Sequence, residues 1–160
     1  MTTVNTTQNF DLTATETFTE AEMPALANRQ FQYKEFSANK SLNAATTPAA
    51  TKVYAEKLSG SQTLDLTALT RSIGAVVNAT ALRLQQIQIS NLSTSATIVI
   101  AKGATNGYAF NGAAGDKAIL PSGHYAEYFH DGLTDIDATH KTLDITGTTG
   151  QYYNVVMIFG

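Results

Sequence analysis

Three histidines, His124, His130 and His140, stand near Asp131, Asp135 and Asp137 towards the end of the chain. Imidazole and carboxylate are the groups that bind metals and move protons near neutral pH. The pair His130-Asp131 and the run Asp135-x-Asp137-x-x-His140 admit two readings. One is a Ca²⁺ site built from the carboxylates; the other is a set of solvated turn residues. The spacing is neither that of a zinc-binding HExxH helix nor that of an EF-hand loop, so turn residues are expected, with no metal and no cofactor. Ser122-Gly123-His124 lacks the G-x-S-x-G frame of a nucleophile elbow. Gly103, Gly107, Gly112 and Gly115 fit neither a phosphate-binding loop nor a dinucleotide fingerprint and read as a loop between strands. Tyr108, Phe110, Tyr125 and Tyr128 can line a sugar platform or fill a core; without a Trp in the chain, core is the expectation. No catalytic residues emerge, and an enzyme is not expected.

Composition points the same way. The chain has 160 residues, none of them Cys, which removes disulfides, thiolate metal sites and Cys nucleophiles. Charged residues make up 14% against a usual share of about 25%, while apolar residues hold at 43%. Such a chain folds, and its polar surface is mostly uncharged. Threonine supplies that surface, with 24 copies, and β-branched Thr suits a pleated, half-wet sheet. A net charge of −3 argues against a nucleic-acid binder driven by phosphate neutralisation. Met1 to Asn9 has neither the basic nor the apolar region of a secretory leader. The longest strongly apolar run, Val155 to Phe159, is far short of a membrane span. Synthesis in the cytoplasm without membrane insertion is the expectation, and the sequons at Asn5, Asn78 and Asn91 then carry no modification.

The chain reads as three regions. Residues 1–36 hold five acidic and two basic residues, and so the whole net charge, since residues 37–160 hold eight of each. Thr13, Thr15, Thr17 and Thr19 alternate at period two, which favours an extended segment. Thr19-Glu20-Ala21-Glu22 has capping-box spacing ahead of Pro24 and predicts a short helix reaching Gln30, after which Phe31 to Phe36 returns to extended backbone. Phe10, Phe18, Leu26, Phe31, Tyr33 and Phe36 are anchors too few for a private core. The segment must therefore dock, either as extra strands on its own domain or as an arm on a neighbouring subunit. Residues 37–52 are small and polar and read as a linker or a surface-hugging loop.

Residues 53–160 carry seven to ten short strands. Thr63–Thr67 (TLDLT) and Thr142–Thr146 (TLDIT) alternate cleanly and echo each other. Between Leu82 and Ile89 the apolar phase slips, because Leu82 and Leu84 share one parity and Ile87 and Ile89 the other. One extra residue at Gln85-Gln86 reconciles them, so a β-bulge is expected there. Asn106-Gly107, Asn111-Gly112, Pro121-Ser122-Gly123 and Asp131-Gly132 mark turns. The last strand is apolar on both faces: Val155, Met157 and Phe159 on one, Val156 and Ile158 on the other. It is either central in a thick sandwich or meets another subunit, and Val155, Met157 and Phe159 are the candidate oligomer contacts. The expected fold is all-β, an antiparallel β-sandwich or jelly roll with an extended N-terminal arm.

The run Gln86–Leu92, the Leu120–Gly123 turn, the strand Leu143–Thr146 and the closing Tyr153–Gly160 together resemble the small β-sandwich proteins of tailed-phage virions. The resemblance covers about half the chain, residues 82–160. It implies a capsid decoration (cement) or other auxiliary virion protein, often a trimer, with the major capsid protein or other virion subunits as partners. On that reading Phe10, Phe18, Leu26, Phe31, Tyr33 and Phe36 are the capsid-facing anchors. The alternative is a carbohydrate- or receptor-binding β-sandwich module.

Overall fold

The computed structural model describes residues 4–17, 30–112 and 115–160. Every regular element among them is a strand, twelve in all. The chain divides into two compact units, one of Asn5–Leu42 and one of Met1–Val4 with Asn43–Gly160. The boundary therefore falls six residues later than the composition suggests.

The smaller unit is a two-stranded sheet of β1 (Asn5–Thr17) and β2 (Gln30–Asn43). Thr7 Oγ1 and Ser41 Oγ lie 3.3 Å apart, which joins the start of β1 to the end of β2 as an antiparallel ribbon requires. At about 3.3 Å per residue each strand spans about 40 Å. Thr13, Thr15 and Thr17 do run extended in β1, with Thr19 outside the described residues, and Phe31–Phe36 does so through β2. The helix expected from Thr19 to Gln30 lies outside the described residues, save Gln30, which opens β2.

Residues 37–43 belong to β2 rather than to a linker. The chain then enters a tied turn. The Asn43 carbonyl accepts from the N–H groups of Thr46 and Ala50, and its Oδ1 accepts from Ala45 N. Pro48 and Ala50 are buried. Small residues allow this close packing, so after Asn43 the segment follows the surface-hugging alternative rather than a free linker.

The larger unit is a sandwich of two antiparallel four-stranded sheets. One has the order β10 (His124–Tyr128), β7 (Leu84–Asn91), β12 (Tyr152–Phe159), β3 (Lys52–Ser59). The other has β4 (Gln62–Asp65), β11 (Thr142–Thr146), β8 (Ile98–Lys102), β9 (Lys117–Ile119). A small sheet of β5 (Leu69–Thr70) and β6 (Val76–Val77) completes it. The pairings are nested: β8 with β9, β7 with β10, β4 with β11, β3 with β12. The midpoints of Ile98 with Ile119, Tyr128 with Gln86, Thr142 with Asp65, and Tyr152 with Ser59 all fall between residues 103 and 109. The domain is thus one long hairpin, turning between β8 and β9 and rolled so that successive pairs alternate between sheets. That is a jelly roll.

This wrapping explains the echo of TLDLT and TLDIT. They lie side by side, with Leu143 opposite Leu64 and Asp144 opposite Thr63. The phase slip is a bulge at the expected place: Ile158 faces Gln86 while the next residue, Phe159, faces Leu84, so Gln85 is the extra one. Both sheets feed one core, which includes Tyr54, Leu64, Leu84, Ile87, Ile89, Ile98, Ile100, Leu143 and Ile145.

Val155, Met157 and Phe159 belong to that core, each fully buried. The expectation that they join subunits is corrected. Strand β12 has β7 on one side and β3 on the other, so its inner face meets the opposite sheet of its own protomer. Side chains with no remaining exposed area have none to bury on a neighbour.

Candidate functional site

The acids of the Asp/His loop are divided between two sets of partners. Arg83 Nε donates to Asp135 Oδ1 at 2.7 Å and its guanidinium lies 3.7 Å from Asp131. Asp137 Oδ1 instead caps the next turn, accepting from Thr139 N at 2.6 Å and His140 N at 2.8 Å, with His140 Nδ1 3.1 Å away. The Thr139 amide, then the His140 and Thr139 side chains, hold the Asp137 carboxyl well below the usual carboxylate range. His124 bonds Ser90 Oγ at 2.9 Å on the outer face of the other sheet, and His130 stacks edge-on against Tyr128. Among the described residues no three His, Cys, Asp or Glu side chains gather as a metal set. His130, not Asp131 or Gly132, takes the left-handed backbone of that turn, with φ 53°.

The four aromatics expected to form either a platform or a core separate. Tyr108 and Phe110 are buried, at 0% and 3% exposure, and offer nothing to a sugar. Tyr108 hangs from the hairpin apex into the core. Its hydroxyl donates to the Thr134 carbonyl at 2.8 Å and accepts from Leu84 N at 3.3 Å. Tyr125 and Tyr128 are half-buried on β10. The Tyr125 hydroxyl donates to Glu127, and Lys117 lies 5.8 Å over its ring.

Burial pushes the Tyr108 phenol up to about 12, and burial with the nearby Tyr54 does the same for Tyr153, whose hydroxyl donates to the Gly60 carbonyl at 2.9 Å. A raised pKa means that the fold favours the neutral phenol. That stabilisation is complete below the ordinary tyrosine value near 10 and is lost as pH climbs towards 12. Tyr54 and Tyr125 are also raised, by burial first and then by the nearby Glu56 and Glu127, so tyrosinate absorbance followed by alkaline titration should show at least four phenols ionising late, those of Tyr108 and Tyr153 together with loss of the β signal. Their ionisation below about pH 11 in a still-folded chain would contradict this packing.

A polar cleft of about 330 Å³ lies between β4, β11 and the 104–106 loop. Its acids are already engaged. Asp144 accepts from Thr63 Oγ1 at 2.7 Å and from Ala104 N at 2.9 Å. Asp65 accepts from Lys141 Nζ at 2.7 Å and from Thr67. Burial alone would push Asp65 up, but these hydrogen bonds outweigh it and hold its carboxyl below the ordinary value. Held in place and facing one another across a sheet, such groups fasten strands rather than move protons.

Two further features stand out. One is a groove of about 680 Å³ on β3 and β12, lined by Val53, Ala55, Lys57, Arg71, Ile73 and Val156. Ile73 on the β5–β6 hairpin is 78% exposed and Val76 61%. Neither is legible in the sequence, because a hairpin of two-residue strands leaves no periodic signal. The other is the ribbon. Phe10 lies on β1, and Phe31, Tyr33 and Phe36 lie on β2, while Phe18 and Leu26 lie outside the described residues. No protein-family model matches this chain, and no curated protein does either.

Proposed function

We propose that the protein is a non-enzymatic virion structural protein, a capsid decoration (cement) protein that docks on a capsid shell through its N-terminal ribbon. Its partners on this reading are the major capsid protein or other virion subunits, and its assembly is a homo-oligomer such as a trimer, made in the host cytoplasm and carried on the virion. The observation behind it is the ribbon itself: two strands of 13 and 14 residues, in a unit separate from the jelly roll, with no third strand among the described residues. A two-stranded sheet is marginal in water, so its stability comes from a surface it lies on. Its sequence brings aromatic anchors to that surface. Each one fully buried contributes about 1.5–3 kcal/mol before ordering costs. Many copies on one shell multiply the effect. The jelly roll is an architecture shared by capsid and lectin domains, which supports the reading by analogy only.

The test removes the ribbon and keeps its root. Residues 9–39 are replaced by Asn-Gly, a turn that closes two antiparallel strands, leaving the Thr7–Ser41 pair in place. The sandwich has its own core and should keep its urea midpoint. Shells assembled from the partner major capsid protein should carry down the full chain and leave the shortened one in solution. Equal binding by the two would move docking to the sandwich, and no binding by the full chain would end the decoration reading.

A further inference from the structure

The sandwich keeps its strand edges short or covered. Strands β4, β9 and β10 have four, three and five residues. The long edge strand β3 has the β5–β6 segment tied against it: the Arg71 guanidinium donates to the Val53 carbonyl, Ser72 N donates to the Glu56 side chain at 2.9 Å, and the Lys52 side chain donates to the Asn78 carbonyl. Blocked edges prevent unwanted strand pairing. The ribbon is built the other way. Its two strands are the longest in the described chain, and among the described residues neither outer edge has a partner strand.

Charge says which edge fits which. Strand β1 carries Asp11 and Glu16 and no base, a net −2. Strand β2 carries Lys34, Glu35 and Lys40, a net +1. Pairing β1 with a second β1 gathers four carboxylates, a net −4, and pairing β2 with β2 gathers four lysines and two glutamates, a net +2. Only β1 against β2 sets unlike charge across the new pair. Since every copy has both edges, that contact repeats head to tail and closes a ring when the rotation permits.

We propose that copies of this chain join ribbon to ribbon, β1 of one copy adding to the edge of β2 of the next, to make a continuous sheet between subunits. The second copy completes an element that is marginal alone. Backbone groups at the edges do the joining, which leaves the ribbon's faces, with Phe10, Phe31, Tyr33 and Phe36, for the shell. The inference deepens the assembly reading above, but it is tested on purified protein without shells. A monomer would therefore overturn ribbon pairing and leave shell docking standing, while failed shell binding by an assembled chain would do the reverse.

The chain has no cysteine, so single cysteines report cleanly. Full-length Thr13→Cys (β1) and Ser37→Cys (β2) variants are mixed and treated with a short bis-maleimide. In an equal mixture, mixed T13C–S37C dimers should exceed either like pair by far more than the twofold that random collision gives. Mixed pairs at no more than twice either like pair, or a full chain that native mass spectrometry finds monomeric, would overturn the proposal. Asp11→Lys with Glu16→Lys turns β1 from −2 to +2 and should weaken association by about tenfold or more. An unchanged urea midpoint of the sandwich separates that loss from unfolding, and unchanged association would count against the charge pairing.

Discussion

Phe159→Ala should cost about 3–5 kcal/mol of folding stability, read as a large fall in the urea midpoint, with no direct effect on how copies associate. Phe159 is fully buried, in the protomer's own core, beside the bulge where β12 passes from Gln86 to Leu84. Truncation removes a ring and leaves a cavity that two packed sheets cannot close. A domain of this size has about 5–15 kcal/mol in all, so the variant sits near the edge of folding. Val156→Ala is the control. Val156 is half-buried on the outer face of the same strand, beside Ala55, and its loss should cost about 1 kcal/mol or less. If the two variants proved equally mild, or if Phe159→Ala split an oligomer while the fold held, the assignment of that face to the core would fail.

The second large effect is expected at Asn91, a buried amide that ties four segments together. Its Nδ2 lies 2.8 Å from the Ala96 carbonyl, 3.0 Å from that of Ile119 and 3.0 Å from that of Leu120. Its Oδ1 accepts from Ser93 N at 3.0 Å and from Gln151 Nε2 at 3.3 Å. Gln151 in turn donates to Ala96 O and accepts from Thr148 N, both at 2.9 Å. One amide pair thus holds the end of β7, the 92–96 turn, the exit of β9 and the entry to β12. Asn91→Leu keeps the volume and strands these buried groups, at a cost of about 3 kcal/mol. Asn91→Asp should be worse, since a carboxylate would face three carbonyl oxygens with nothing to donate. Thermal midpoints should rank wild type above Leu above Asp; an Asp variant as stable as wild type would show that the network does not matter. The same geometry means that the Asn91-Leu92-Ser93 sequon has no free amide in the folded chain.

The strands with clean alternation were legible because one face is dry and the other wet. Leu64 and Leu66, Leu143 and Ile145 are buried as their period requires. The bulge was legible for the same reason: a phase slip in a half-buried strand must be absorbed, and Gln85 absorbs it. Turn chemistry also spoke locally. Asn106, Ser122 and Gly112 all take positive φ, at 53°, 57° and 77°.

By itself, the order of residues determined the class and much of the rhythm: all-β, short strands, turns that tolerate left-handed backbone, and no sustained helical period or cysteine chemistry. These are local properties, written in neighbours two or three positions apart. Tertiary structure decided which faces meet. It put TLDLT beside TLDIT across some eighty positions of chain, a pairing that only the rolled hairpin produces. It placed β12 between two strands, so that Val155, Met157 and Phe159 became core rather than interface. It drew Tyr108 and Phe110 inside, and gave the acids of the Asp/His loop to Arg83 and to a turn. The reason is common to all of these. Burial and pairing depend on what the chain brings from a distance, and an apolar or charged side chain carries no mark of the partner that will cover it.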